Sequence, residues 1–468
     1  MLNRHTPPPI QPTSLDFRKP VQRVLRNGIP LHVIEAGQLD AVRIDFVFSA
    51  GQWHQEHKLQ ALFACRMLRE GCRGYTSAEF AERLDYYGAW LDLSVAMNRT
   101  FVTLYTLKKH FATTLALVHR MITEPSYSEE QFRIVRDNNK AQLMVNLQKG
   151  DVQAMRTLRR SLYGEEHPCG MQVNPEDYDA LQLADVVDFY HRHYGSRTCR
   201  IYLSGDVDEP LLARVESLFG MAEWGSGTLQ TTDNGQQTTD RVAFAGHSNF
   251  GEVNSQFTID NSQLTIDQPD GNNSQISNEV RWPKGKATLN IHLSTAVQDS
   301  IRMGCLLIDV NHPDYLPLRV LTAVLGGYFG SRLMKNIREE KGYTYHIGSD
   351  LVTNTTQVMF LIHCEAQAGK AEEVIGEVHR EMQRLQSELI PDDELRMVRN
   401  YMIGEICRNY ESAFSLTDAY IFMEHLGLPL THLEQTIDAI RTTDAPCLQQ
   451  LAQRYLRPDL LHTVVVGC

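Results

Sequence analysis

Two stretches of this chain repeat one another, and the repeat constrains the fold more than any other feature. SEEQFRIVRDN, from Ser128, matches PDDELRMVRNY, from Pro391. Arg133 pairs with Arg396, Val135 with Val398 and Arg136 with Arg399, while Phe132/Leu395 and Ile134/Met397 agree in kind. Nearer the end of each half, HRHYGSRTCRIYLSG resembles LAQRYLRPDLLHTVVVG in pattern. Two matches in the same order at similar separations point to an internal duplication. A chain of 468 residues is also too long for one ordinary core. Two similar halves are expected, covering 21–224 and 286–468, with an N-terminal arm over 1–20. Residues 225–285 are rich in Thr, Asn, Gln, Ser, Asp and Gly and contain the near-repeat NSQFTID/NSQLTID. Their few apolar residues cannot offset chain entropy, so this stretch reads as a polar linker.

Within the first half, strands are expected over IPLHVIEAG, AVRIDFVFSAG, Trp90–Ala96, Thr100–Leu107 and CRIYLSGDV. Leu59, Leu62, Phe63 and Met67 recur at helical spacing up to a stop at Gly71. Further helices are expected over Thr76–Tyr87, Phe111–Thr123, Glu129–Leu147 and Ala184–Tyr194.

The second half holds the densest run of interpretable residues, LPLRVLTAVLGGYFGSRLMKNIREEKGYTYHIGS from Leu316. Leu318, Leu321 and Leu325 predict a core-facing helix running into Gly326 and Gly327, where the backbone can turn sharply or be approached closely. A short helix with Leu333, Met334 and Ile337 buried should follow, with Arg338 near its last turn and Gly342 as its C-cap. Tyr343, Tyr345 and Ile347 then alternate with Thr344, His346 and Gly348 as a strand, which puts both tyrosines on one face.

Charge and cysteine usage narrow the classes. A formal net charge of −12 with no Lys/Arg-rich run argues against nucleic-acid binding. Nine scattered cysteines without a Cys-x-x-Cys pair suit a reducing compartment. The proline-rich start lacks the apolar run of a signal peptide or membrane anchor, so a cytoplasmic protein is expected. The glycines at 326–331 lack the Lys-Ser/Thr ending of a phosphate loop, and no Gly-x-Ser-x-Gly elbow occurs. His54, Glu56 and His57 lie together in a loop and read as a solvated turn. His191–Arg192–His193 reads as helix surface. Glu424–His425 and Glu377–Val378–His379 read as isolated structural pairs.

The Gly-rich loop (Gly326, Gly327, Gly330), followed by Arg338 and, seven residues on, Tyr345, resembles the C-terminal half of the insulinase/pitrilysin family of zinc peptidases, in particular its mitochondrial-processing-peptidase-like branch. The resemblance covers nearly the whole chain outside the polar middle segment. It implies an α+β fold of two similar domains, each an antiparallel-rich sheet with helices packed on it. It also implies that Arg338 and Tyr345 hold substrate backbone and a developing oxyanion.

In active members a helix carries His-x-x-Glu-His, whose two His bind zinc while the Glu activates water, and a distant Glu completes the ligand set. The matching positions here are Leu62, Cys65 and Arg66, with Gln142 at the distal one and Val135 at a helper carboxylate. Leu62 has no lone pair, Arg66 is permanently cationic, and Gln142 has lost its charge. The Arg66 guanidinium is expected in the space of the missing metal, with Gln142 as its partner. No catalytic residue and no metal are therefore expected on this chain. The resemblance implies a non-catalytic, peptide-binding subunit whose homologous partner has an intact motif and carries the zinc. The alternatives are a structural or peptide-binding homodimer and, further off, an active zinc metalloendopeptidase using His54, Glu56 and His57.

Overall fold

The computed structural model describes residues 17–35, 40–225, 288–353 and 357–467. The expected linker, from residue 226, and the first sixteen residues of the arm lie outside the described residues.

The first half runs β1 (Val21–Val24), β2 (Pro30–Glu35), β3 (Ala41–Phe48), α1 (Gln60–Arg66), a small hairpin β4 (Gly71–Cys72) and β5 (Tyr75–Thr76), α2 (Ser77–Tyr86), β6 (Trp90–Val95), β7 (Thr100–Leu107), α3 (Phe111–Thr123), α4 (Glu129–Asn146), α5 (Gly150–Tyr163), α6 (Pro175–Ala180), α7 (Leu183–His193), β8 (Cys199–Gly205) and α8 (Glu209–Val215). The second half runs β9 (Thr288–His292), β10 (Gln298–Asp309), α9 (Tyr315–Gly326), a π-helix over Met334–Glu340, β11 (Thr344–Thr353), β12 (Gln357–Gln367), α10 (Ala371–Ser387), α11 (Asp392–Asn409), α12 (Ala413–His425), α13 (His432–Thr442), α14 (Ala445–Tyr455) and β13 (His462–Gly467).

The two sheets have one topology. The first is ordered β1-β2-β8-β3-β7-β6 and the second β9-β13-β10-β12-β11. Only β2/β8 and β9/β13 are parallel; every other pair in both sheets is antiparallel. The helices carry the repeat too. Glu129 and Asn146 bound α4 as Asp392 and Asn409 bound α11, each 263 residues on, and Gly150 stands to Ala413 in the same way. This is an internally duplicated α+β fold.

Local chemistry accounts for the element ends. Thr76 caps α2 in a capping box with Glu79, Ser128 caps α4 through Gln131, and Asp444 caps α14 through Cys447, each satisfying a backbone N–H left over in the first turn. The helix expected over 59–69 is α-helical only to Arg66 and tightens to a 3₁₀ turn over Met67–Glu70. There Gly71, at φ 121°, turns the chain into the hairpin.

One helix of each half crosses to the other. Ala154, Leu158 and Leu162 of α5 pack on Leu306, Met359, Leu361, Val464 and Val466 of the second sheet. Ile421 of α12 packs on Val47, Phe101 and Tyr202 of the first. Polar groups fix both crossings. Arg43 forks onto buried Asp45 and reaches Asp418 of α12 at 2.6 Å. Glu424 of α12 accepts from Tyr202 and pairs with Arg200 at 3.0 Å. Ser161 of α5 meets His462 Nδ1 at 2.6 Å. The described end of the arm crosses as well: Phe17 lies in the second-half core, edge-on to Tyr410.

Candidate functional site

The zinc-motif positions lie on α1. Leu59 enters at φ 75°, and the Gln60 side chain accepts from the backbone N–H of Glu56 and His57 at 2.8 and 2.9 Å. The helix start is thereby tied to the preceding loop. Leu62 packs half-buried on the first-half core, beside a shallow hollow lined by Gln52, Gln55, Leu59, Pro168, Met171 and Val173. Cys65 is buried at 1% exposure. Burial pushes its thiol up to about 12, against the pull of Arg66 and Arg69. A thiol so displaced stays protonated at neutral pH and is neither base nor metal ligand.

Arg66 is half-buried, and its charge acts on the Tyr178 hydroxyl, which burial pushes up to about 12. Val135 packs half-buried on the core. Gln142 lies exposed on α4 and donates to Asn146 Oδ1 at 3.3 Å, within its own helix. Gln142 thus donates to Asn146 within its own helix, and the Arg66 charge lies beside Tyr178. A hydrocarbon, a protonated thiol, a guanidinium and an amide turned along its own helix do not fit a zinc ion. Among the described residues no three metal-capable side chains converge elsewhere.

The other polar sites resolve differently from one another. Glu56 pairs with Arg192 at 2.6 Å, and His54 lies 5.4 Å from the His193 ring. His193, expected at the surface, is 3% exposed because the end of α7 turns it onto Phe189. Burial, then His54 and Arg192, lower its pKa to about 4. Glu424, expected in an isolated pair, is instead a hub joining Tyr202, Arg200 and, at 3.4 Å, His32.

The Gly-loop region is assembled by α9, the π-helix and β11. Gly326 closes α9 against β11: a Cβ there would meet Ser349 N at 2.6 Å. Its glycine is thus a packing requirement, while Gly327 is exposed and Gly330 partly so. In the π-helix the i→i+5 winding buries Leu333, Met334 and Ile337, as the spacing predicts. It places the Arg338 guanidinium over the Phe329 ring, 4.6 Å from its centroid.

The two tyrosines part company. Pairing between β11 and β12 slips between Thr344 and Ile347. Tyr343 ends half-buried on the core, under Lys370, and Tyr345 stands 90% exposed. The one-face reading of Tyr343 and Tyr345 is corrected by this bulge, which adds a residue to the strand. Arg338 and Tyr345 thus occur at one end of the edge strand β11, one cationic and one phenolic.

Several residues that position this region were not singled out in the sequence. Arg332 forks onto Glu394 of α11 at 2.9 and 3.0 Å. Asn336 donates to Glu377 and Glu381 of α10 at 3.1 and 2.7 Å, and Lys341 pairs with Glu377 at 3.1 Å. The signal available was the run of polar residues on the π-helix opposite its buried stripe. Phe329, 60% exposed, is legible only as an aromatic inside a glycine loop.

Fold and site define a two-lobed, peptidase-like chain whose zinc-motif positions cannot hold zinc. Residues 180–402 match the family model described as the peptidase M16 inactive domain. The chain is 19% identical over 394 residues to a Bacillus subtilis protein described as an uncharacterized zinc protease, covering 83% of this chain and 84% of that one. A crystal structure of a peptidase M16 inactive domain from Pseudomonas fluorescens superposes with TM-score 0.75 at 20% identity, over 96% of this chain and 98% of that one. A Helicobacter pylori protease superposes with TM-score 0.75 at 15% identity, over 96% and 100%. Over residues 180–402 the chain is thus similar to the peptidase M16 inactive domain, it shares the fold of both solved structures, and it lacks an intact His-x-x-Glu-His at 62–66.

Proposed function

We propose that this chain is the peptide-binding subunit of a heteromeric zinc peptidase and completes the active site of a homologous, zinc-bearing partner. The observation that carries this reading is the state of Arg338 and Tyr345. A phenol that is 90% exposed contributes little to the fold. Arg338 is held on Phe329 and has no acidic ion-pair partner among the described residues. Both groups are donors held ready by anchored elements, as a developing oxyanion requires. An extended peptide laid along the edge strand β11 would gain backbone hydrogen bonds there.

Reconstitution tests the reading. The purified chain is mixed with a homologous subunit bearing an intact His-x-x-Glu-His, and cleavage of a fluorogenic peptide is followed. Activity should rise on mixing. Tyr345→Phe should lower kcat, by roughly tenfold to a thousandfold for a lost oxyanion donor, and Arg338→Gln should lower kcat/KM. A chain that never raises the partner's activity sinks the proposal.

A further inference from the structure

His346 follows Tyr345 on β11 and is exposed. Its ring centroid lies 5.3 Å from that of His363 on β12. Charged groups that act on it include Arg338 from the π-helix, Arg302 from β10, His363 from β12 and Asp350 from its own strand, with Glu365 of β12 paired to Arg302. Both acids are already engaged. Asp350 meets His363 Nε2 at 3.0 Å. Glu365 pairs with Arg302 at 2.7 Å and accepts from Ser300 and Gln298. Two arginines and two carboxylates balance while the imidazoles are neutral. Protonating His346 makes this face cationic, on a chain whose formal net charge is −12. Among the described residues Arg338 has no acidic ion-pair partner, whereas Arg302 pairs with Glu365.

We infer that Arg338 and His346 form a carboxylate-recognising subsite beside Tyr345, so that the peptide taken on this face carries an Asp or Glu next to the residue held there. This rests on the peptide-binding reading above and names its substrate class. A guanidinium fork matches a carboxylate in two parallel bonds, and a neighbouring imidazolium adds a second donor. Burial, then His363 and the two arginines, hold the His346 pKa below its ordinary value. The imidazole is therefore neutral at neutral pH in the free protein. An arriving carboxylate favours its protonated form, so acid-bearing peptides should bind more tightly as the pH falls below about 6.5.

The test uses the full chain and two fluorescein-labelled peptides of about ten residues, extended and otherwise neutral, that differ only in a central Glu or Gln. Anisotropy titrations are made at about pH 6 and about pH 7.5. The Glu peptide should bind about fivefold or more tightly than the Gln peptide at the lower pH, with a smaller ratio at the higher. His346→Gln should remove the pH dependence of that ratio. Equal binding of the two peptides overturns the subsite and leaves peptide binding standing. So does a His346→Gln protein that weakens both peptides alike. Binding of neither peptide overturns both readings.

Discussion

At the scale of single residues, Cys65 shows how the position matched to the zinc-motif Glu lies within the core. Its thiol is buried in the first-half core, and that burial pushes its pKa up. It should resist a thiol reagent such as DTNB in the native protein and react only on unfolding, whereas partly exposed Cys407 and Cys447 should react first. Rapid native labelling of Cys65, mapped by mass spectrometry, would contradict that placement. Arg66→Ala should cost about 1–3 kcal/mol of stability, read as a lower urea midpoint, because a charge set beside Tyr178 and its packing stem are lost together. Tyr345→Ala should change stability by no more than about 0.5 kcal/mol. The identities at Leu62, Cys65, Arg66 and Gln142 were legible in the sequence because each removes a lone pair or a charge. Their surroundings were not: nothing in the spacing says that Gln142 turns toward Asn146, or that Tyr178 takes the Arg66 charge.

At the scale of elements, helices with a broad apolar stripe and a capping residue could be read closely. The expected Phe111–Thr123 helix is α3, and Glu129–Leu147 ends one residue early. The α5 helix was passed over. Its stripe of Ala154, Leu158 and Leu162 is narrow, and it is interrupted by the buried Arg156, which bonds to Gln172 and Val173. Polar residues with partners distant in the chain leave no periodic signal. The bulge in β11 was hidden for a related reason, since strict alternation assumes an unbroken ladder. The join between α9 and β11 can be tested by Gly326→Ala. Its methyl would strike the Ser349 backbone and should cost about 1–3 kcal/mol in urea melts. On the proposed function it should also weaken peptide binding at Arg338 and Tyr345, which that join positions. A variant as stable as the parent would refute the packing role.

At the scale of the molecule, two terms dominate. The first is a set of buried imidazoles. Burial lowers His193 and His432 to about 4 and His425 to about 2. Each is protonated near pH 6.5 in the unfolded chain and only at lower pH in the folded one. Their contribution is therefore complete above about pH 6.5 and lost as pH falls toward 4. The urea midpoint should be lower at about pH 5 than at about pH 7.5; an equal or higher midpoint would show that these rings are not held neutral. The second term is the crossing of helices. Leu158→Ala, at a position with 0% exposure, should cost about 2–5 kcal/mol and weaken the seat of α5 on the second sheet. The repeated halves were legible from two short matches, but the crossing was not, because both helices follow their repeat segments as any local helix would.

That crossing bears on descent. A sheet whose cover is supplied by the other half cannot have been complete in a single ancestral copy. Before the gene doubled, such a copy could have shielded its apolar face only by lending this helix to a twin and borrowing the twin's in return, which is a symmetric, helix-swapped pair. Fusion would then have made permanent a partnership that two separate molecules had to find by collision. It would also have freed each half to change on its own.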